Sequence, residues 1–266
     1  MCIRDSLQIV RSMVEAKTAL VVMGNHEFNA LAFDAGLRPA TEHNLKQHEQ
    51  FLMLEESVRK DFLAWFWTIP LWLEIDGLRV IHAYWNQEQI EAMTELLPDA
   101  TMTPEFLEMA THRPPGNNED IDPFHPFWAV EALLKGPEVP VTPGYQTGKE
   151  DKVRHHARFM WWVDDRGGDK RQYLATEGYL DENGQPGYEP DAGPLDERYR
   201  PLFYRDAKPV VFGHYWRTGT PRYEKTYGEH AACVDFSAAK DGHLTAYRFT
   251  IGETTIHEKH FVQYIA

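Results

Sequence analysis

Three short apolar runs, far apart in the chain, constrain its fold more than any other feature. They are Ala19–Met23, Leu78–Ile81 and Val210–Phe212, and each stops abruptly at glycine or histidine. Runs this short and rich in β-branched residues read as strands buried within a sheet. The first would need neighbours on both sides, yet little chain precedes it. The expectation is therefore an α/β chain that lacks its earliest strands, with residues 1–6 foreign to the fold.

Between and around these runs the patterning alternates. A helix is expected over Leu7–Ala16, capped by Ser6, with Leu7, Val10 and Val14 on its apolar face. Residues 42–67 read as helical, with Leu45, Phe51, Leu54, Val58 and Phe62 recurring on one side and Pro70 beyond the end. Asp76-Gly77 separates two strand-like segments and predicts a hairpin. The stretch 86–207 is rich in Pro, Gly, acidic and aromatic residues, with a helix expected at Pro126–Lys135. It reads as an insertion over one face of a single domain spanning 1–266. From Ala231 to Val262 the chain alternates like strands, with turns at Asp241-Gly242 and Gly252.

Composition narrows the function. The 266 residues carry a net charge of −14, which argues against an extended grip on nucleic acid. An acidic chain can still handle phosphate where bound divalent ions dominate the local field. Two cysteines, Cys2 and Cys233, exclude a disulfide framework or a cysteine-rich zinc site and suit a reducing compartment. No signal peptide opens the chain, which favours a cytoplasmic protein. The longest apolar run, Phe62–Leu73, contains Pro70 and falls short of the roughly 20 residues a membrane helix needs.

Chemistry gathers at the ends of the three runs. Ala19–Met23 leads into Gly24-Asn25-His26-Glu27, Leu78–Ile81 into His82-Ala83-Tyr84-Trp85, and Val210–Phe212 into Gly213-His214-Tyr215-Trp216. Loops at strand ends are where a rigid sheet positions reactive groups. Imidazole nitrogen and amide oxygen together suit Mn, Fe or Zn. Among thirteen histidines, His82 alone would more often be structural. The three segments in this order point instead to a metal site.

Gly24-Asn-His-Glu27, a later strand-end His82 and Gly213-His214 resemble the second half of the calcineurin-like metallophosphoesterase signature. Glu27 resembles the branch holding phosphoprotein phosphatases and diadenosine tetraphosphatases, and the tail Cys233–Arg248 resembles that branch's closing strands. The resemblance covers these segments, while 86–207 matches loosely. It implies an αββα two-sheet sandwich flanked by helices, with two divalent ions. Asn25, His82 and His214 would be ligands of the second ion, and His26 would stand beside the scissile ester to stabilise or protonate the leaving oxygen. Trp216 stands where many relatives have a further histidine. The family's Asp-x-His and Gly-Asp-x-x-Asp do not precede Gly24; Asp164-Asp165-Arg166-Gly167 echoes the latter, but late in the chain. Arg154 and Arg158 are candidates for holding substrate phosphate, or form part of a solvated basic strand. Trp85 and Trp216 could wall the pocket or simply pack.

The expected substrates are a phosphorylated small molecule, a nucleotide or a phosphoprotein, with catalysis impaired by the missing ligands. The alternative is a metal-binding or protein-interaction domain of the same fold without catalysis, using Trp128, Trp161 and Trp162 as its surface.

Overall fold

The structure, a computed structural model, describes residues 3–115, 122–147 and 152–264. Met1 and Cys2, and the parts of the 86–207 stretch between those ranges, lie outside the described residues. The chain is mixed α/β and divides into two compact units: Met1–Ile75 with Arg79–Lys135, and Asp76–Leu78 with Gly136–Ala266. The 86–207 stretch is thus shared between them. Among the described residues, no helix is long and apolar enough to cross a membrane.

The first unit is mainly helical. Its opening helix α1 spans Ile3–Glu15. Ser6 therefore lies inside the helix rather than capping it, because Ile3 and Leu7, one turn apart, both pack on the core. Arg11 faces α4 (Glu56–Phe66), where its guanidinium meets Asp61 at 2.5 Å.

Ala19–Met23 carries no strand and forms no ladder among the described residues. Leu20 is 62% exposed, and the Met23 N–H donates to the Pro70 carbonyl at 2.7 Å. The expectation of a fully buried strand fails here, since only Met23 of the run is fully covered. The following segment is not a loop either: α2 spans Asn25–Asp34. Gly24 is extended (φ −97°, ψ 170°), and the Glu27 carboxylate accepts its N–H at 3.0 Å. That closes the first turn as the glutamate of a capping box does. Phe28, Ala30, Leu31 and Ala32 then bury the far side of α2.

The helical stretch 42–67 is two helices, α3 (Glu42–Leu52) and α4, broken at Met53–Glu55. The break lets Phe51 stack on Phe66, with centroids 5.7 Å apart, which one straight rod could not achieve. Strands β1 (Trp72–Ile75) and β2 (Leu78–Ile81) form the expected hairpin. Asp76 (φ 48°) and Gly77 (φ 83°) both take positive φ, the signature of a type I′ turn matched to strand twist. Helices α5 (Gln87–Leu96), α6 (Pro104–Thr111) and α7 (Pro126–Lys135) complete the unit. Asn86 and Thr103 cap the first two through side-chain oxygens, and α7 has the expected bounds.

The second unit is mainly strands and loops. Strand β3 (Glu138–Gln146) pairs antiparallel with β4 (Arg154–Arg158) and β5 (Leu180–Asp181). Strands β6 (Val210–Phe212) and β7 (Ala231–Cys233) run parallel. A second antiparallel sheet joins β8 (Asp235–Phe236), β9 (His243–Tyr247) and β10 (Phe261–Tyr264). Trp161 and Trp162 are fully buried and pack on Phe212 at centroid distances of 4.5 and 5.0 Å. They are core, so a protein-binding surface built on them is excluded. Trp128 is half-buried, with the Arg113 guanidinium 5.0 Å above its ring.

Candidate functional site

In the first unit, α2 and the end of β2 bring two donor atoms together. The Asn25 amide oxygen lies 3.0 Å from His82 Nε2. Asn25 is the first residue of α2, so its direction is set by the Gly24–Glu27 cap. His82 directly follows the buried Ile81. The next two residues are tied to α7: the N–H groups of Ala83 and Tyr84 both donate to the Leu133 carbonyl, at 3.1 and 3.3 Å. Burial pushes the Tyr84 phenol up to about 12, and its oxygen accepts from the Asn86 amide at 3.1 Å. Both sides of the pair are therefore held by secondary structure.

Gly24 is required here by space rather than by φ. A Cβ on it would stand 3.1 Å from the His82 ring and 2.7 Å from the Glu27 carboxylate. His26 follows Asn25 in the first turn of α2, and its side chain is exposed. Its ring lies edge-on to that of His48, with centroids 6.0 Å apart. Burial, then the nearby His26 and Arg38, lowers His48 to about 4, so it is neutral at physiological pH. The Asn29 side chain on the same helix accepts from the Arg38 guanidinium.

In the second unit, the segment after β6 is tightly constrained. His214 and Trp216 take positive φ (72° and 51°), which costs energy for residues with side chains. Asp235 holds the segment in that shape. Its carboxylate accepts the N–H groups of Trp216 (3.1 Å) and Ser237 (3.0 Å), and its carbonyl accepts that of Arg217 (2.9 Å). His214 is 8% exposed, and its carbonyl accepts from Arg158 at 3.4 Å. The same guanidinium stands 5.9 Å from the Tyr215 ring.

The two candidate arginines are thereby distinguished. Arg158 reaches the His214 segment, whereas Arg154 opens β4 opposite Tyr145, about 13 Å away along the strand. Trp85 is buried with Arg79 stacked 4.8 Å from its ring, so it packs rather than lining a mouth. Trp216 is 47% exposed, with the Lys240 ammonium 3.7 Å from its centroid.

Asp164 and Asp165 are otherwise engaged. Asp165 accepts from Arg200 at 2.5 and 2.6 Å, and Asp164 accepts the Tyr223 hydroxyl at 2.8 Å. Their resemblance to an acidic metal motif is one of sequence alone. Among the described residues, no group of three or more His, Cys, Asp or Glu side chains is arranged to hold a metal ion. The Asn25–His82 pair is a hydrogen bond, with the His82 Nε2–H donating to the Asn25 amide oxygen.

Sequence reasoning overlooked His48 and Asp235. His48 falls at the buried spacing of α3, four residues after Asn44 and three before Phe51, which is the signal that could have found it. Asp235 sits in an alternating tail where no local pattern marks it. Comparison with protein-family models, with curated proteins and with solved structures returns no match.

Proposed function

We propose that this chain is a metal-dependent phosphoesterase domain of the calcineurin-like class, with the αββα sandwich that class implies. The observation carrying the proposal is the 3.0 Å hydrogen bond from His82 Nε2–H to Asn25 Oδ1, which joins two segments the motif relates. Asn25 and His82 would help hold one of two divalent ions (Mn, Fe or Zn). Bound ions would supply a hydroxide near neutral pH and polarise the phosphoryl oxygens.

The remaining work falls to the chain itself. First-turn N–H groups of a helix have no intrahelical acceptor and favour an anion, and α2 begins at Asn25. His26, exposed on that turn, would hold a proton at its ring nitrogen for the leaving oxygen. The substrate is a phosphorylated small molecule, nucleotide or phosphoprotein. Turnover is impaired, because the residues identified supply one ion position and no bridging carboxylate.

The test is hydrolysis of an aryl phosphate by the purified chain with and without Mn. Slow Mn-dependent turnover is expected, lost in His82→Ala and lowered about 100-fold or more in His26→Ala. Hydrolysis indifferent to Mn and to both substitutions would refute it. The competing reading, a metal-binding domain without catalysis, requires bound metal with no turnover at all.

A further inference from the structure

The last antiparallel sheet of the second unit has its polarity reversed. Strands β9 and β10 pair in regular register, with Leu244 opposite Tyr264 and Ala246 opposite Val262. Alternate residues of a strand share a face, so these four side chains point to one side. That side is in water: Leu244 is 67%, Val262 48% and Tyr264 69% exposed, and Ala246 is exposed with them. The other side packs Tyr247 and Phe261 against Tyr227 and Ile256. An antiparallel sheet with one wet face normally turns its polar residues outward. Here Thr245 and Gln263 point inward, where the Gln263 amide donates to the Thr245 hydroxyl at 3.0 Å. All four outward positions of the two strands are apolar.

The edge of this sheet is equally undefended. β10 is its outer strand, and Phe261-Val-Gln-Tyr264 holds no charge, proline or bulge, the devices that keep sheets of separate molecules apart. In the strand register, charge flanks the patch at its two ends. Arg248, exposed, continues β9 past Tyr247, its N–H donating to the His260 carbonyl at 2.8 Å. At the opposite end Asp235 of β8 pairs with Leu244. Two copies stacked face to face, with their β9 strands antiparallel, set each arginine over the aspartate of the other. A chain of net charge −14 repels its own copies over most of its surface. An uncharged face flanked by one cation and one anion is where they can meet, and a two-fold axis makes such a face complementary to itself.

We propose that the outward face of β9 and β10 is a self-association surface, on which a second copy of this chain packs about a two-fold axis. Leu244, Ala246, Val262 and Tyr264 of each copy interleave as the inner faces of a sandwich do, with Val262 near the axis. The four leave roughly 400 Å² of apolar surface in water, about half of what each partner contributes to a standard interface. The dimer is therefore weak and reversible, with a Kd of about 10–100 µM. It does not depend on the phosphoesterase reading.

The experiment is sedimentation equilibrium of the full chain from about 5 to about 500 µM, where a monomer–dimer equilibrium is expected. Val262→Lys and Val262→Glu alter a side chain already half in water, and circular dichroism checks that each variant folds. Each alone should weaken association about tenfold or more, because like charges then face each other near the axis. An equimolar mixture of the two should recover most of the lost association, which a merely misfolded variant could not do. Arg248→Glu should weaken the dimer about threefold. The proposal is overturned if the chain stays monomeric at about 500 µM, if either Val262 variant associates like the parent, or if the mixture associates no better than its components. A face that instead serves an unrelated partner leaves the chain monomeric on its own, and so counts against the proposal.

Discussion

Replacing His48 by glutamine should make the protein more tolerant of acid, and the size of the effect follows from its surroundings. Burial is the main cause of the lowering from 6.5 to about 4, with the positive charges of His26 and Arg38 adding to it. Between those values the unfolded chain binds a proton that the native state refuses. Stability is therefore fully present above about pH 6.5 and is lost as pH falls toward 4. At 1.36 kcal/mol per pH unit, the total loss is bounded at about 3 kcal/mol. Relative to pH 7, the linkage relation gives a loss of about 1 kcal/mol by about pH 5.5 and about 2 kcal/mol by about pH 4.5. Glutamine cannot titrate, so the stability gap between wild type and His48→Gln should close by these amounts. Urea unfolding of both proteins at the three pH values measures the gap, and the His48 ring proton titrated by NMR gives its pKa directly. A His48 that titrates near 6.5, or a gap constant with pH, would refute the reasoning.

Further expectations concern the supports of the site. Gly24→Ala puts a methyl 3.1 Å from the His82 ring, which should cost about 1–3 kcal/mol in unfolding and weaken Mn binding about tenfold. Unchanged Mn affinity would show that His82 is not positioned by this contact. Asp235→Ala removes the acceptor of the Trp216 and Ser237 N–H groups and should cost about 1–3 kcal/mol, read from the fluorescence of the buried Trp161 and Trp162 during unfolding. Phe66→Ala opens a hole beside Phe51 and Phe62 and should destabilise the chain by about 3–5 kcal/mol, whereas a loss under about 1 kcal/mol would contradict its place in the core.

Sequence patterns revealed the elements whose signals are local. The Asp76-Gly77 hairpin, the α7 bounds and the strand Val210–Phe212 were legible because turn chemistry and short apolar runs decide them. Ala19–Met23 was misread because an apolar run does not reveal whether a neighbour supplies a ladder. The α2 helix was hidden in the residues that suggested a loop. Gly24 and Glu27 form a helix start together, and a glycine followed by three polar residues conceals the apolar face that begins at Phe28. Asn25 and His82 stand 57 residues apart, and the α2 cap and the Leu133 carbonyl bring them to a 3.0 Å hydrogen bond. Asp235 has no such local mark.

The most direct test of the proposed metal centre is paramagnetic broadening by Mn²⁺. Substoichiometric Mn²⁺ added to the chain should erase the His82 ring signals and the Asn25 side-chain amide before any others. Broadening confined to exposed carboxylates, with His82 still sharp, would contradict the account.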